Sequence, residues 1–170
     1  MPYGPAHVLA LRDGLDAFHR VSGLRVVPSL QTMMTGGEVS PVWLEKVRAA
    51  PPDVNPWLHG FGIVHRDDDL VIGSAGFTGP PDDAGVAEIA YGIAPEYQQR
   101  GYATEAASAL VQFALADARV TMLIAHTYAQ ANVSTRILAK CGFRFAGPVQ
   151  HPEDGEVWRW ERPVIPSSKQ

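Results

Sequence analysis

The chain is expected to fold as a single α/β domain, a mixed sheet with helices on both faces. Three observations lead there. Short runs rich in β-favouring residues alternate with stretches whose apolar positions recur every three or four residues. Glycine and proline clusters separate these runs along the chain. The 170 residues, 46% hydrophobic and 19% charged, suffice for one sizeable core of ordinary globular composition.

Taken in order, residues 5–20 place Val8, Leu11, Leu15 and Phe18 at helical spacing, predicting a first helix or a short strand running into one, with Gly14 as its weak point. Residues 23–28 (Leu24, Val26, Val27) read as a strand or a loop, and Gly36-Gly37 as a breaker. Ser40-Pro41 supplies an N-cap and a first-turn proline for a helix to about Ala50, with Trp43, Leu44 and Val47 inward, and Pro51-Pro52 stops it. A hairpin follows. Residues 57–66 alternate, with Trp57, His59, Phe61, Ile63 and His65 on one face; Asp67-Asp68-Asp69 turns and residues 70–77 return. After a loop at 79–83, residues 86–94 form a buried central strand that Pro95 ends. From Ala103 the positions Ala107, Leu110, Val111, Ala114 and Leu115 mark one face of a long helix. Residues 121–128 are another strand, and 132–140 another helix, capped by Asn132 or Ser134 and stopped by Gly142. Strands at 143–147 and 156–161 flank the turn 152–155, and 163–170 reads as a frayed tail.

Composition excludes several classes. With 14 Lys and Arg against 18 Asp and Glu, the net charge is −4, and no basic footprint for nucleic acid exists. A single cysteine, Cys141, excludes an internal disulfide and a multi-cysteine metal site, and suits a reducing cytosol. The six histidines show no paired spacing, so no metal is expected. No apolar run approaches a membrane span and no signal pattern opens the chain; a soluble, cytoplasmic protein without a membrane partner is the expectation. Exposed edge strands make a homodimer plausible.

The most informative stretch is 88–116. Between its strand and its helix lies Gln98-Gln99-Arg100-Gly101-Tyr102-Ala103. Free backbone N–H groups gather there at a helix start, where the dipole is positive, which makes an anion site fit for phosphate oxygens. Gly101 and the small Ala103 let a ligand approach the backbone. The pattern Gln98-x-x-Gly101-x-Ala103, after a strand and Pro95, resembles the acetyl-CoA pyrophosphate loop of the GNAT superfamily of N-acetyltransferases. Residues 101–106 (Gly-Tyr-Ala-Thr-Glu-Ala) are similar to its RimJ/RimL, ribosomal-protein-acetyltransferase branch, and a second block at 132–143 supports the likeness.

The resemblance implies a mostly antiparallel sheet splayed at the central strand. It implies one N-acetyltransferase domain: an N-terminal helical, acceptor-side region (1–56), an acetyl-CoA-binding core (57–162) and a tail (163–170). The implied reaction moves the acetyl group of acetyl-CoA to a primary amine, on a small molecule or a protein N-terminus, by direct attack in a ternary complex. A non-catalytic acyl-CoA-binding or sensing module is the alternative. Residue by residue, Tyr91, Gly92 and Ile93 match the pantetheine and acetyl contacts. Gln99, Arg100, Gly101, Tyr102, Ala103 and Thr104 match the phosphate cradle, which Gln98 opens, and Asn132 matches the second cofactor-side motif. Glycine within an apolar strand, Gly92, suggests a bulge or a close backbone approach. The resemblance implies the bulge, with a backbone N–H near Ile93 meeting the thioester carbonyl, and avoidance of a clash with a neighbouring helix is the plain alternative. Arg100 has a solvated-surface alternative, and Asn132 a simple capping one.

For the chemistry, an alkyl amine of pKa about 10 is neutral to roughly one part in a thousand at pH 7, so a base is needed. Glu88 is the candidate, a carboxylate within a central strand; a structural ion pair with an arginine is its plain alternative. His126 is the second candidate, or a satisfied core histidine. The tyrosine that often protonates the departing thiolate in this superfamily is replaced by Leu138, five residues before Phe143. Ser134, Tyr128 or water stand in for the acid. Cys141 reads as a buried, inert thiol.

Overall fold

The computed structural model describes residues 1–36 and 39–164. Seven helices, α1 (Pro5–Asp13), α2 (Leu15–Ser22), α3 (Pro28–Thr35), α4 (Pro41–Ala49), α5 (Pro56–His59), α6 (Tyr102–Leu115) and α7 (Val133–Lys140), occur among the described residues. They accompany seven strands: β1 (Arg25–Val26), β2 (Phe61–His65), β3 (Leu70–Phe77), β4 (Val86–Ile93), β5 (Met122–Tyr128), β6 (Arg144–His151) and β7 (Gly155–Pro163). The pairing is mixed, as expected: β1 is parallel to β3 and β4 to β5, while β2–β3, β5–β7 and β6–β7 are antiparallel.

The chain forms two compact units. The first comprises Met1–Phe77 and Tyr91–Tyr102. Its core joins Tyr3, Val8, Leu11 and Phe18 to Leu30, Met34, Val47, Val71 and Ile72. The second comprises Thr78–Ala90 and the described residues from Ala103 onward. There Ala107, Leu110, Val111 and Ala114 of α6 are buried, as the helical spacing requires, along with Leu123, Ala125, Leu138, Phe143 and Trp160.

Several boundaries differ from the sequence reading. Residues 5–20 are two helices, because Gly14 takes φ +147°, a backbone conformation no helix interior admits. Residues 25–26 do form a strand, and Pro28 then opens α3, which the pattern at 23–37 had not revealed. Gly36 caps α3; Gly37 lies outside the described residues. Helix α4 is as read, with Ser40 Oγ accepting the Trp43 N–H. The expected alternation from Trp57 is replaced by a helical turn: Asn55 caps it, Pro56 supplies the first position and Gly60 at φ +69° ends it, so β2 starts only at Phe61. Helix α7 closes in a Schellman motif, Phe143 N–H to Leu138 O and Gly142 N–H to Ala139 O, with Gly142 at φ +84°. Strands β6 and β7 outrun the expected 143–147 and 156–161, because the turn between them is tight enough to pair His151 with Gly155. Pro163 belongs to β7; the rest of the expected tail, from residue 165, lies outside the described residues.

Candidate active site

The residues around β4 are set first by its backbone. Thr78 N–H donates to Glu88 O and Ala94 N–H to Ile72 O, the antiparallel sense between neighbouring strands. Between those bonds both strands advance six residues, so Gly92 marks a close approach and not an inserted residue. The approach is real: a Cβ on Gly73 would collide with the Gly92 carbonyl oxygen. That oxygen therefore lies against β3. The peptide joining Gly92 to Ile93 is trans, as all in the described chain are, so the Ile93 N–H points the opposite way. The Ile93 carbonyl also points away from β3, since the next N–H, Ala94, is bound there, and the Gln98 side chain claims it (Nε2 to O, 2.9 Å). The Ile93 N–H thus faces the strand edge along which β4 pairs with β5 at Val86, Ala87 and Glu88.

Beyond the strand, a 3-10 turn (Pro95–Tyr97) leads into the glycine loop. Gln99 takes φ +61° and Gly101 φ +90°, and a Cβ on Gly101 would meet nothing within 4 Å. Gln98 through Gly101 show little burial, and among the described residues no side chain caps the amides that open α6. These are the conditions for a backbone anion cradle, and they fit a diphosphate. Gln98 ties the loop to Ile93. The Arg100 guanidinium lies 5.4 Å from the Tyr97 ring centroid. Tyr102 packs its ring edge-on to His65, centroids 5.5 Å apart, anchoring the first residue of α6.

In the second unit, Glu88 is paired, but not with an arginine. Its register partner on β5 is Ile124; His126, two residues on, shares that face. His126 Nδ1 lies 2.7 Å from Glu88 Oε1, and Thr78 Oγ1 donates to Oε2 at 3.4 Å. A carboxylate only accepts, so the Nδ1 proton faces Glu88, and whenever the ring is uncharged its lone pair falls on Nε2. Both side chains are only partly buried, 22% exposed for Glu88 and 16% for His126. The His151 ring lies 5.4 Å from that of His126, with its own Nδ1 3.1 Å from Asp154 Oδ2. Arg159, the register partner of His126, is engaged by Glu161 at 2.8 Å. The sequence named both Glu88 and His126 but not their union, which depends on the parallel register of two strands.

The remaining candidates divide. Asn132 spends its amide on capping: Oδ1 accepts the Thr135 N–H at 3.1 Å and Nδ2 donates to Gln130 O at 3.1 Å. Ser134 sits half-buried in the first turn of α7, and Tyr128, 68% exposed, ends β5. Cys141 is buried against the start of α6, its Sγ 3.5 Å from Ser108 Oγ. Tyr91 is half-buried beside Gly92 in the chain. Among the described residues no His, Cys, Asp and Glu group could hold a metal ion, and no helix is long and apolar enough to cross a membrane.

A mixed sheet with a glycine loop opening a long helix is the frame of the site. Residues 34–144, more than half of the chain, match the family described as the acetyltransferase (GNAT) domain, and the chain belongs to that family. It is 33% identical over 81 residues to the uncharacterized N-acetyltransferase YjdG of Bacillus subtilis (strain 168), covering 48% of each. It is 30% identical over 100 residues to YnaD, an uncharacterized N-acetyltransferase of the same organism, covering 58% of each. The chain thus spans about half the length of the curated relatives it matches. Among solved structures, the ribosomal L7/L12 α-N-protein acetyltransferase RimL in complex with coenzyme A superposes with a TM-score of 0.53 at 14% identity, over 59% of each chain. A GNAT-family acetyltransferase from Bacillus anthracis gives 0.54 at 21% identity, over 61% of this chain and 65% of that one. At such identities the likeness is one of fold.

Proposed function

We propose that the chain is an acetyl-CoA-dependent N-acetyltransferase acting on a primary amine by direct attack in a ternary complex. The Glu88–His126 pair carries this reading, because an acyl-CoA-binding module has no use for an oriented base. Acetyl-CoA supplies the acetyl group as an activated thioester. The amides of Gly101 to Thr104 hold its diphosphate, and the backbone of Tyr91, Gly92 and Ile93 lies along its pantetheine arm. Ile93 N–H donates to the acyl oxygen as negative charge gathers there, a contribution of roughly 2–4 kcal/mol from a preorganised donor. Nε2 of His126 takes the proton the amine sheds on attack, and the Glu88 carboxylate steadies the imidazolium through Nδ1. Tyr128 or Ser134 returns a proton to the departing sulfur. The products are an N-acetyl amide and coenzyme A.

The first acceptor to test is a polypeptide α-amino group, because residues 101–106 resemble the RimJ/RimL branch. The experiment is a free-thiol release assay with acetyl-CoA and a panel of peptide N-termini, polyamines and aminoglycosides. Thiol release with mass-shifted acceptor is the expected result. Binding of coenzyme A without turnover on any acceptor would instead favour the sensing module.

A further inference from the structure

We propose that Met33 gauges the acyl group, restricting the chain to acetyl-sized thioesters. This rests on the reading of Gly92 and Ile93 as the acyl-side backbone. The observation is steric. A carbon added to Gly92 meets one side-chain atom within 4 Å, the Met33 terminal methyl, at 3.1 Å. Carbon atoms prefer about 3.5–4.0 Å, so the room over the Gly92 α-carbon is already filled to the limit by that methyl. A group lying over Gly92 must share its space with the tip of Met33.

The gauge is adjustable at its tip and fixed at its base. Ser29 Oγ, in the first turn of α3, hydrogen-bonds both oxygens of Glu96 at 2.7 and 2.8 Å. At the other end Arg12 Nη1 donates to Met34 O at 2.6 Å, and Leu30 and Met34 are buried beneath. Helix α3 is therefore pinned at both ends over the strand. Met33 is half-buried, with an unbranched, three-torsion side chain that yields to a small group and resists a long one. Along β4 the buried positions are Ala87, Ile89 and Ile93, so Gly92 falls among the alternating positions left open. An acyl carbon held by the Ile93 N–H comes to lie beside Gly92, and each added methylene then presses towards Met33.

Calorimetry with coenzyme A, acetyl-CoA and butyryl-CoA tests this without knowledge of the acceptor. The wild-type chain is expected to bind acetyl-CoA about tenfold or more tighter than butyryl-CoA, since methylenes in a tight slot discriminate on that scale. Met33→Ala should bring that ratio to within about threefold while leaving coenzyme A affinity unchanged. Gly92→Ala should weaken acetyl-CoA more than coenzyme A, and the double variant should recover that difference, the coupling expected of groups in contact. An unaltered acetyl-to-butyryl ratio in Met33→Ala, with coenzyme A still bound, overturns the gauge and leaves the cofactor reading standing. Failure of the wild-type chain to bind coenzyme A overturns both.

Discussion

A carboxylate on a half-buried strand is costly unless something holds its charge, and for Glu88 an imidazole does so. In the proposed mechanism the pair divides the labour: Glu88 fixes the tautomer and His126 offers the lone pair. Glu88→Gln and His126→Gln should each lower kcat about a hundredfold or more while leaving coenzyme A affinity in place. Loss of cofactor affinity in both variants would show the pair to be structural. A different histidine bears on how stability varies with pH. His59 is buried (2% exposed), and its Nδ1 accepts the Asn55 N–H, so the proton sits on Nε2. Burial lowers its pKa below the usual 6.5, because the charged ring would lose its water. The unfolded chain then binds the proton first as pH falls. Its contribution to stability is complete above pH 6.5 and is lost as pH drops from there towards the lower folded value. His59→Phe should flatten the fall in Tm between pH 7 and pH 5, followed by thermal melts; an unchanged slope assigns the pH dependence elsewhere. Both histidines were visible as residues. Their roles were not, because burial and a partner 38 positions away are properties of packing, not of local spacing.

At the scale of elements, what local chemistry dictates was legible. The strand-proline-glycine-helix block survives almost residue for residue, and so do the caps at Ser40 and Asn132, because each is decided within a few positions. What failed was decided by competition. Trp57 and His59 fit an alternating strand, yet the Asn55-Pro56 helix start prevails until Gly60 releases the chain. Helix α3 was missed although Leu30, Met33 and Met34 stand at helical spacing, because eight residues between Pro28 and Gly36 are too few for the period to repeat; it nonetheless supplies the side chain facing Gly92. Two element-level predictions follow from geometry. Asn132→Ala removes the cap from α7 and should cost about 1 kcal/mol, roughly 2–4 °C in Tm for a chain this long, with coenzyme A affinity kept if the amide only caps. Gly73→Ala forces its methyl into the Gly92 carbonyl, and any rotation of that peptide carries the Ile93 N–H with it. That variant should lose turnover at least as steeply as Glu88→Gln, and a fully active Gly73→Ala enzyme would argue against the Ile93 amide as the donor.

For the molecule as a whole, the readings separate by linkage. A ligand that binds the folded chain and not the unfolded one stabilises it in proportion to the logarithm of its excess over Kd. Coenzyme A at a hundred times its Kd adds about 2.7 kcal/mol, which for a chain of this length raises Tm by roughly 5–10 °C. A vestigial fold gives no such rise. An acyl-CoA sensor gives the rise and no turnover, and the enzyme gives both. Glu88→Gln sharpens the distinction, because the amides of the glycine loop belong to the backbone and do not feel the change. That variant should keep the coenzyme A shift in full while its thiol release falls. A shift that disappears together with turnover would mean that Glu88 holds the cofactor or the fold, and the catalytic assignment of the pair would have to be given up.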